Sequence, residues 1–147
     1  MDKFEELENR IKKMEEEIEQ IDRLDNDIFE LTQKLEKVTS LLVEMVENNK
    51  NIDKNDIDFI VLKFDIDPKK YHELPILVSK KEKEYRKDGT FPTLSQFHQE
   101  VIETLSISEL EDNVLLPIDV TKNILEKYKK TDDYDYFAVC ESILSTE

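Results

Sequence analysis

Two histidines, one cysteine and several clustered aspartates are the side chains in this 147-residue sequence best suited to hold a metal or attack a substrate. His72 and His98 stand 26 residues apart, outside any H-x-x-x-H or H-E-x-x-H spacing. The pair His72-Glu73 lacks the further ligands that would close a tetrahedral site. The aspartates Asp53, Asp56 and Asp58, then Asp65 and Asp67, then Asp132, Asp133 and Asp135, invite a calcium reading. A calcium loop needs Gly at its sixth position and Glu at its twelfth. Counting from Asp53 those positions hold Asp58 and Phe64, and from Asp65 they hold Lys70 and Ile76. Both fail, and helix capping explains these aspartates better. Cys140 falls on an apolar helical face, the setting of a structural thiol rather than a nucleophile. With Gly89 as the sole glycine, neither a phosphate-cradling loop nor a G-x-S-x-G elbow can be built. The tyrosines Tyr71, Tyr85, Tyr128, Tyr134 and Tyr136 read as core or rim residues of helices. The expectation is therefore no enzyme, no cofactor and no metal.

Charge narrows the partners. The net charge is −15. Residues 1–50 hold 8 basic against 15 acidic side chains, residues 51–100 hold 9 against 10, and residues 101–147 hold 4 against 11. Two acidic ends flank a near-neutral middle, which opposes binding to nucleic acid or anionic lipid and favours a basic protein partner. The local exception is Lys69–Lys87, with seven basic and three acidic residues. Met1-Asp2-Lys3 leads into Glu-rich sequence without an apolar signal segment, and no run approaches a membrane span. With a lone cysteine, these features give an expectation of a bacterial-type cytoplasmic protein.

Apolar residues recur at Phe4, Leu7, Ile11, Met14, Ile18, Ile21, Leu24, Ile28, Leu31, Leu35, Val38, Leu42 and Met45. Their steps alternate three and four, with one doubled three at Ile21–Leu24. This is a heptad stripe, the signature of a coiled coil. The fault has two readings: a stammer in one continuous helix, or a break at Asp25-Asn26-Asp27 that folds residues 3–23 back on residues 28–46. The absence of a capping glycine favours the continuous helix. Ile at d and Leu at a lean towards trimers or tetramers over a parallel dimer. These thirteen residues are the expected oligomerisation surface of residues 1–47.

Residues 48–147 read as a small helical domain. Asn48-Asn49-Lys50-Asn51 ends the first helix, and a short helix follows over 55–64. Asp67-Pro68 starts another, and Pro75 must kink it or begin a second. Gly89 suits a left-handed cap. Thr93 with Gln96, and Ser108 with Glu111, match the capping-box spacing. Asp119 and Asp132 or Asp133 are expected to open the last two helices. No stretch alternates with a period of two, so the fold class is all-α: a long heptad helix followed by a compact helical bundle.

From about residue 28 to 144 the order of features resembles the YhaI family, small uncharacterised helical proteins of Bacillus-type bacteria. The likeness rests on Leu31–Val46, on Lys80-Lys81-Glu82-Lys83-Glu84-Tyr85-Arg86-Lys87-Asp88-Gly89-Thr90-Phe91, on Leu94-Ser95-Gln96-Phe97 and on the helix pair within Ile124–Leu144. The chain departs from that pattern in its added heptads before residue 28 and in Pro75 and Pro117. The resemblance implies an all-α oligomer without an assigned activity. Three functions follow as expectations, in order: an oligomeric adaptor that presents an acidic helical domain to a protein partner; a phage-type acidic inhibitor or DNA mimic; and a coiled-coil DNA-binding regulator that uses Lys69–Lys87.

Overall fold

The computed structural model describes residues 2–110, 114–130 and 137–147. The described residues form α-helices, one short 3-10 turn and no strand. The chain divides into two units, Met1–Glu44 and Met45–Glu147.

The first unit is built on α1, Lys3–Asn48, a single helix of 46 residues whose last four belong to the second unit. It passes through Asp25-Asn26-Asp27 without a break, as the continuous reading expects. No glycine or proline interrupts it, and residues of good helix propensity dominate. At 1.5 Å per residue it spans about 70 Å.

The second unit holds α2 (Ile57–Lys63), α3 (Pro68–Tyr71), α4 (Glu73–Asp88), α5 (Leu94–Thr104), a 3-10 turn (Ile107–Glu109), α6 (Ile118–Lys129) and α7 (Ala138–Leu144). Local chemistry sets most of these ends. Asp56 accepts bonds from the backbone N–H groups of Asp58 and Phe59 at 2.8 and 3.3 Å, and Asp67 accepts from Lys69 at 2.9 Å. Thr93 and Gln96 form both halves of a capping box. Pro75 sits in the first turn of α4, where its missing N–H would have had no partner; it begins a helix rather than kinking one. Among the described residues, Asp65, Gly89 and Ser106 take left-handed conformations at helix ends. After Asp65 the N–H of Ile66 donates to Val61 O at 3.1 Å, closing a Schellman cap, and Ile66 is buried beside it.

Two expected starts are corrected. Ser108 lies inside the 3-10 turn rather than at the start of a helix; the left-handed Ser106 redirects the chain first. Its intended partner Glu111 lies outside the described residues. Asp119 lies in the first turn of α6, behind Pro117 at the cap position. There its carboxylate faces the positive end of the helix dipole without capping it. Asp132 and Asp133 also lie outside the described residues, and the last described helix starts at Ala138.

The core of this unit is built on Phe97 and Val101 from α5 and Leu105 at its C-cap, Val120, Ile124 and Leu125 from α6, and Val139, Cys140 and Ile143 from α7, with Leu74 and Val78 of α4 against them. Polar bonds bring distant segments onto this core. Thr146 Oγ1 accepts the N–H of Leu94 at 2.7 Å, so a residue after α7 caps the start of α5. Asn123 of α6 donates to Asp53 Oδ2 and to the carbonyl of Asn55, at 2.7 and 3.2 Å. No helix of the described residues is long and apolar enough to cross a membrane.

Gly89 isolates a backbone effect. Its φ is +75°, its N–H donates to Tyr85 O at 2.8 Å, and a Cβ there would meet nothing within 4 Å. Gly89→Ala should therefore cost only the left-handed penalty, about 1 kcal/mol in urea unfolding. A loss well above about 2 kcal/mol would mean that the site carries packing not visible in its surroundings.

Candidate functional site

The apolar stripe of α1 is the surface that the fold leaves unexplained. All thirteen stripe residues project from one helix, and their exposures run from 45% at Leu42 to 74% at Phe4. No residue of α1 is buried. Leu41 flanks the stripe and is also exposed, as is Phe29 further round the helix. Monomeric proteins rarely leave a continuous apolar surface of this length in water. A helix of this length draws most of its stability from packing an apolar face, not from propensity. The stripe is thus a surface whose burial against another helix would lower the free energy of both.

The chemistry-bearing residues of the compact unit are occupied in structure. Cys140 is wholly buried on α7, and burial, reinforced by the nearby Glu82 carboxylate, pushes its thiol up to about 12. It is a protonated core group, not a thiolate. Tyr71 donates to Asp58 Oδ1 at 2.8 Å and is pushed up to about 12 by burial and that bond. Tyr85 and Tyr128 meet Phe91 and Phe137 edge to face, with centroids 5.8 and 6.2 Å apart. These three tyrosines pack on the core, and Tyr134 and Tyr136 lie outside the described residues. Asp53, Asp56 and Asp67 hold capping and turn bonds. Among the described residues no three His, Cys, Asp or Glu side chains converge as metal ligands.

Glu82 is the residue that reading the sequence missed. It is 4% exposed within the charged run Lys80–Lys87. One carboxylate oxygen accepts Arg86 Nε at 2.9 Å; the other accepts the N–H of Val139 at 2.8 Å, in the first turn of α7. A side chain of α4 thereby caps a helix that has no cap of its own. The signal was present: Leu74, Val78, Glu82 and Tyr85 follow helical spacing and place Glu82 on the inward face.

His98 is half-buried on α5, its Nδ1 sharing a 2.6 Å hydrogen bond with the hydroxyl of the buried Thr121. Desolvation lowers its pKa, against a smaller opposing pull from the backbone of Leu116. The folded state therefore binds its proton less readily than the unfolded chain. Stability associated with neutral His98 is complete above the unfolded value of about 6.5 and is lost as pH falls through the lowered folded value. Thermal midpoints at pH 7.5 and 5.5 should fall further for the native chain than for His98→Gln. Parallel shifts would remove His98 as the titrating group.

The basic stretch is partly neutralised. Lys70 pairs with Glu109 at 3.4 Å, Lys81 with Glu100 at 2.7 Å, and Arg86 with Glu82. Lys80, Lys83 and Lys87 remain exposed on α4. No family model, no curated protein and no solved structure matches the chain. Function must therefore be argued from these surfaces.

Proposed function

We propose that this chain is an oligomeric interaction protein without catalysis of its own: α1 gathers copies through its stripe, and the compact unit presents an acidic helical surface to a protein partner. The observation that carries this reading is the thirteen-residue stripe, every member at least 45% exposed on a helix with no buried residue. Its burial against other copies supplies the packing that the helix lacks within the chain. The core identities, with Ile21 at d in the first half and Leu35 and Leu42 at a in the second, favour three or four strands over two. The balance of −7 in residues 101–147 favours a basic partner surface. The single, fully buried cysteine is in keeping with a reducing cytoplasmic setting. Nucleic acid is the weaker partner, because three of the seven basic groups in Lys69–Lys87 are tied up in ion pairs and the chain's net charge repels phosphate.

Absolute mass by light scattering tests the reading. The full chain should run as a trimer or tetramer, and a chain that begins at Ile28 should associate more weakly. A monomer in both cases would overturn it. Salt-dependent capture of a nucleic-acid-binding protein would move the acidic-inhibitor reading ahead.

A further inference from the structure

Because α1 is one unbroken helix, the flanks of its stripe can be followed from end to end. With Phe4, Ile11 and Ile18 at a and Leu7, Met14 and Ile21 at d, the g positions hold Lys3, Arg10 and Glu17, and the e positions hold Glu8, Glu15 and Asp22. All six are exposed. After the fault the flanks change character: of the e positions Asp25, Thr32, Thr39 and Val46 only Asp25 is charged, and the g positions are Asp27, Lys34 and Leu41, so that in register Asp27 and Lys34 face the uncharged Thr32 and Thr39.

We propose that the occupant of the stripe is a second copy of α1 lying parallel and in register, an arrangement that rests on the assembly reading above. In a parallel coiled coil each g residue faces the e residue five positions further along its neighbour. Lys3 then meets Glu8 of the second copy, and Arg10 meets Glu15 of the second copy. Both pairs are opposite in sign, and they repeat at every helix-helix contact of a symmetric ring. Glu17 meets Asp22 of the second copy, a like-charge contact beside the fault. Register also superimposes the doubled step at Ile21–Leu24 in every copy, so all strands overwind at the same height.

The antiparallel alternative with full overlap brings g beside g and e beside e. It sets Arg10 beside Leu41 and Glu8 and Glu15 beside Thr39 and Thr32, so these charges lose their partners. It gains one unlike pair, Glu17 with Lys34, and brings Asp22 against Asp25. Parallel packing makes two unlike pairs for one like pair; antiparallel packing makes one for one. Parallel packing also admits the odd number of strands that an antiparallel pair forbids. Its consequence is that the carboxyl ends of α1, where each compact unit begins, gather at one end of the coil. A partner that bears repeated sites would then meet several copies at once.

Cross-linking in the full chain tests the direction. Leu7→Cys and Leu42→Cys are made as separate variants; the native Cys140 is fully buried and does not compete. With a short bismaleimide, parallel packing predicts that each variant cross-links to itself. Antiparallel packing predicts cross-links only after the two variants are mixed and re-annealed. A charge swap supplies an independent readout at exposed positions that leave the stripe intact. Arg10→Glu should weaken assembly about tenfold, because every helix-helix contact of the ring exchanges an unlike pair for a like one. Adding Glu15→Arg in the same chain should restore it. Self-cross-linking of both variants together with rescue is the expected result. An assembled mass with cross-links only in the mixture, with no cross-links, or without rescue overturns the parallel register and leaves assembly standing. A monomeric native chain overturns both.

Discussion

Replacing Leu31 and Leu35 together by glutamate should reduce the assembled protein to monomer and melt most of α1. Both leucines lie on the stripe, 59% and 64% exposed within the chain, so the substitutions remove no buried side chain from a single copy. In an assembly they would place two carboxylates per copy in an apolar seam. Loss of a buried leucine costs about 2–5 kcal/mol, and an unpaired buried charge adds to that. With every copy carrying both changes, association at micromolar concentration should fall by at least about a thousandfold. The helix signal should fall as well, because a lone helix with an unpacked stripe is only marginally stable in water. As α1 holds 46 of the 147 residues, close to a third of the chain should lose helicity. The compact unit should keep its own cooperative unfolding transition. Light scattering and far-ultraviolet circular dichroism on the same samples check both halves. Unchanged mass and helicity would show that the stripe is tolerated in water and assembles nothing.

Glu82→Ala should be the most damaging polar substitution in the compact unit, costing about 2–4 kcal/mol. It removes a carboxylate that accepts Arg86 Nε and the Val139 N–H, at 2.9 and 2.8 Å. It leaves a buried N–H at the start of α7 without a partner, and a hole where the side chain stood. Glu82→Gln retains an oxygen for Val139 but loses the charge, and should cost about 1 kcal/mol. The order native, Gln, Ala in urea unfolding is the informative result. If Ala falls within about 0.5 kcal/mol of the native chain, the cap contributes nothing and α7 is held by its apolar face alone.

The sequence by itself determined the helices and most of their ends, because those depend on interactions within a few residues. The spacing of the stripe, the absence of Gly and Pro from residues 4–45, the cap at Asp67-Pro68, the Thr93–Gln96 box and the left-handed Gly89 are all local matters. Where a local rule had two outcomes, neighbouring sequence was not enough. Ser108 had capping-box spacing, but the left-handed Ser106 had already turned the chain. Only the tertiary structure assigned the bonds that cross the chain. Glu82 caps a helix 57 residues away, Thr146 caps one 52 residues away, and Asn123 holds a loop 70 residues away. A carboxylate in a charged run looks solvated until a second helix covers it, and no property of its neighbours says which helix end will arrive. The stripe shows the same division from the other side. Its periodicity makes it visible as one continuous apolar surface, and the fold shows that no residue of it is buried within the chain. Local rules fix each helix, because a turn is stabilised within itself; packing fixes the rest, because burial depends on what arrives from elsewhere.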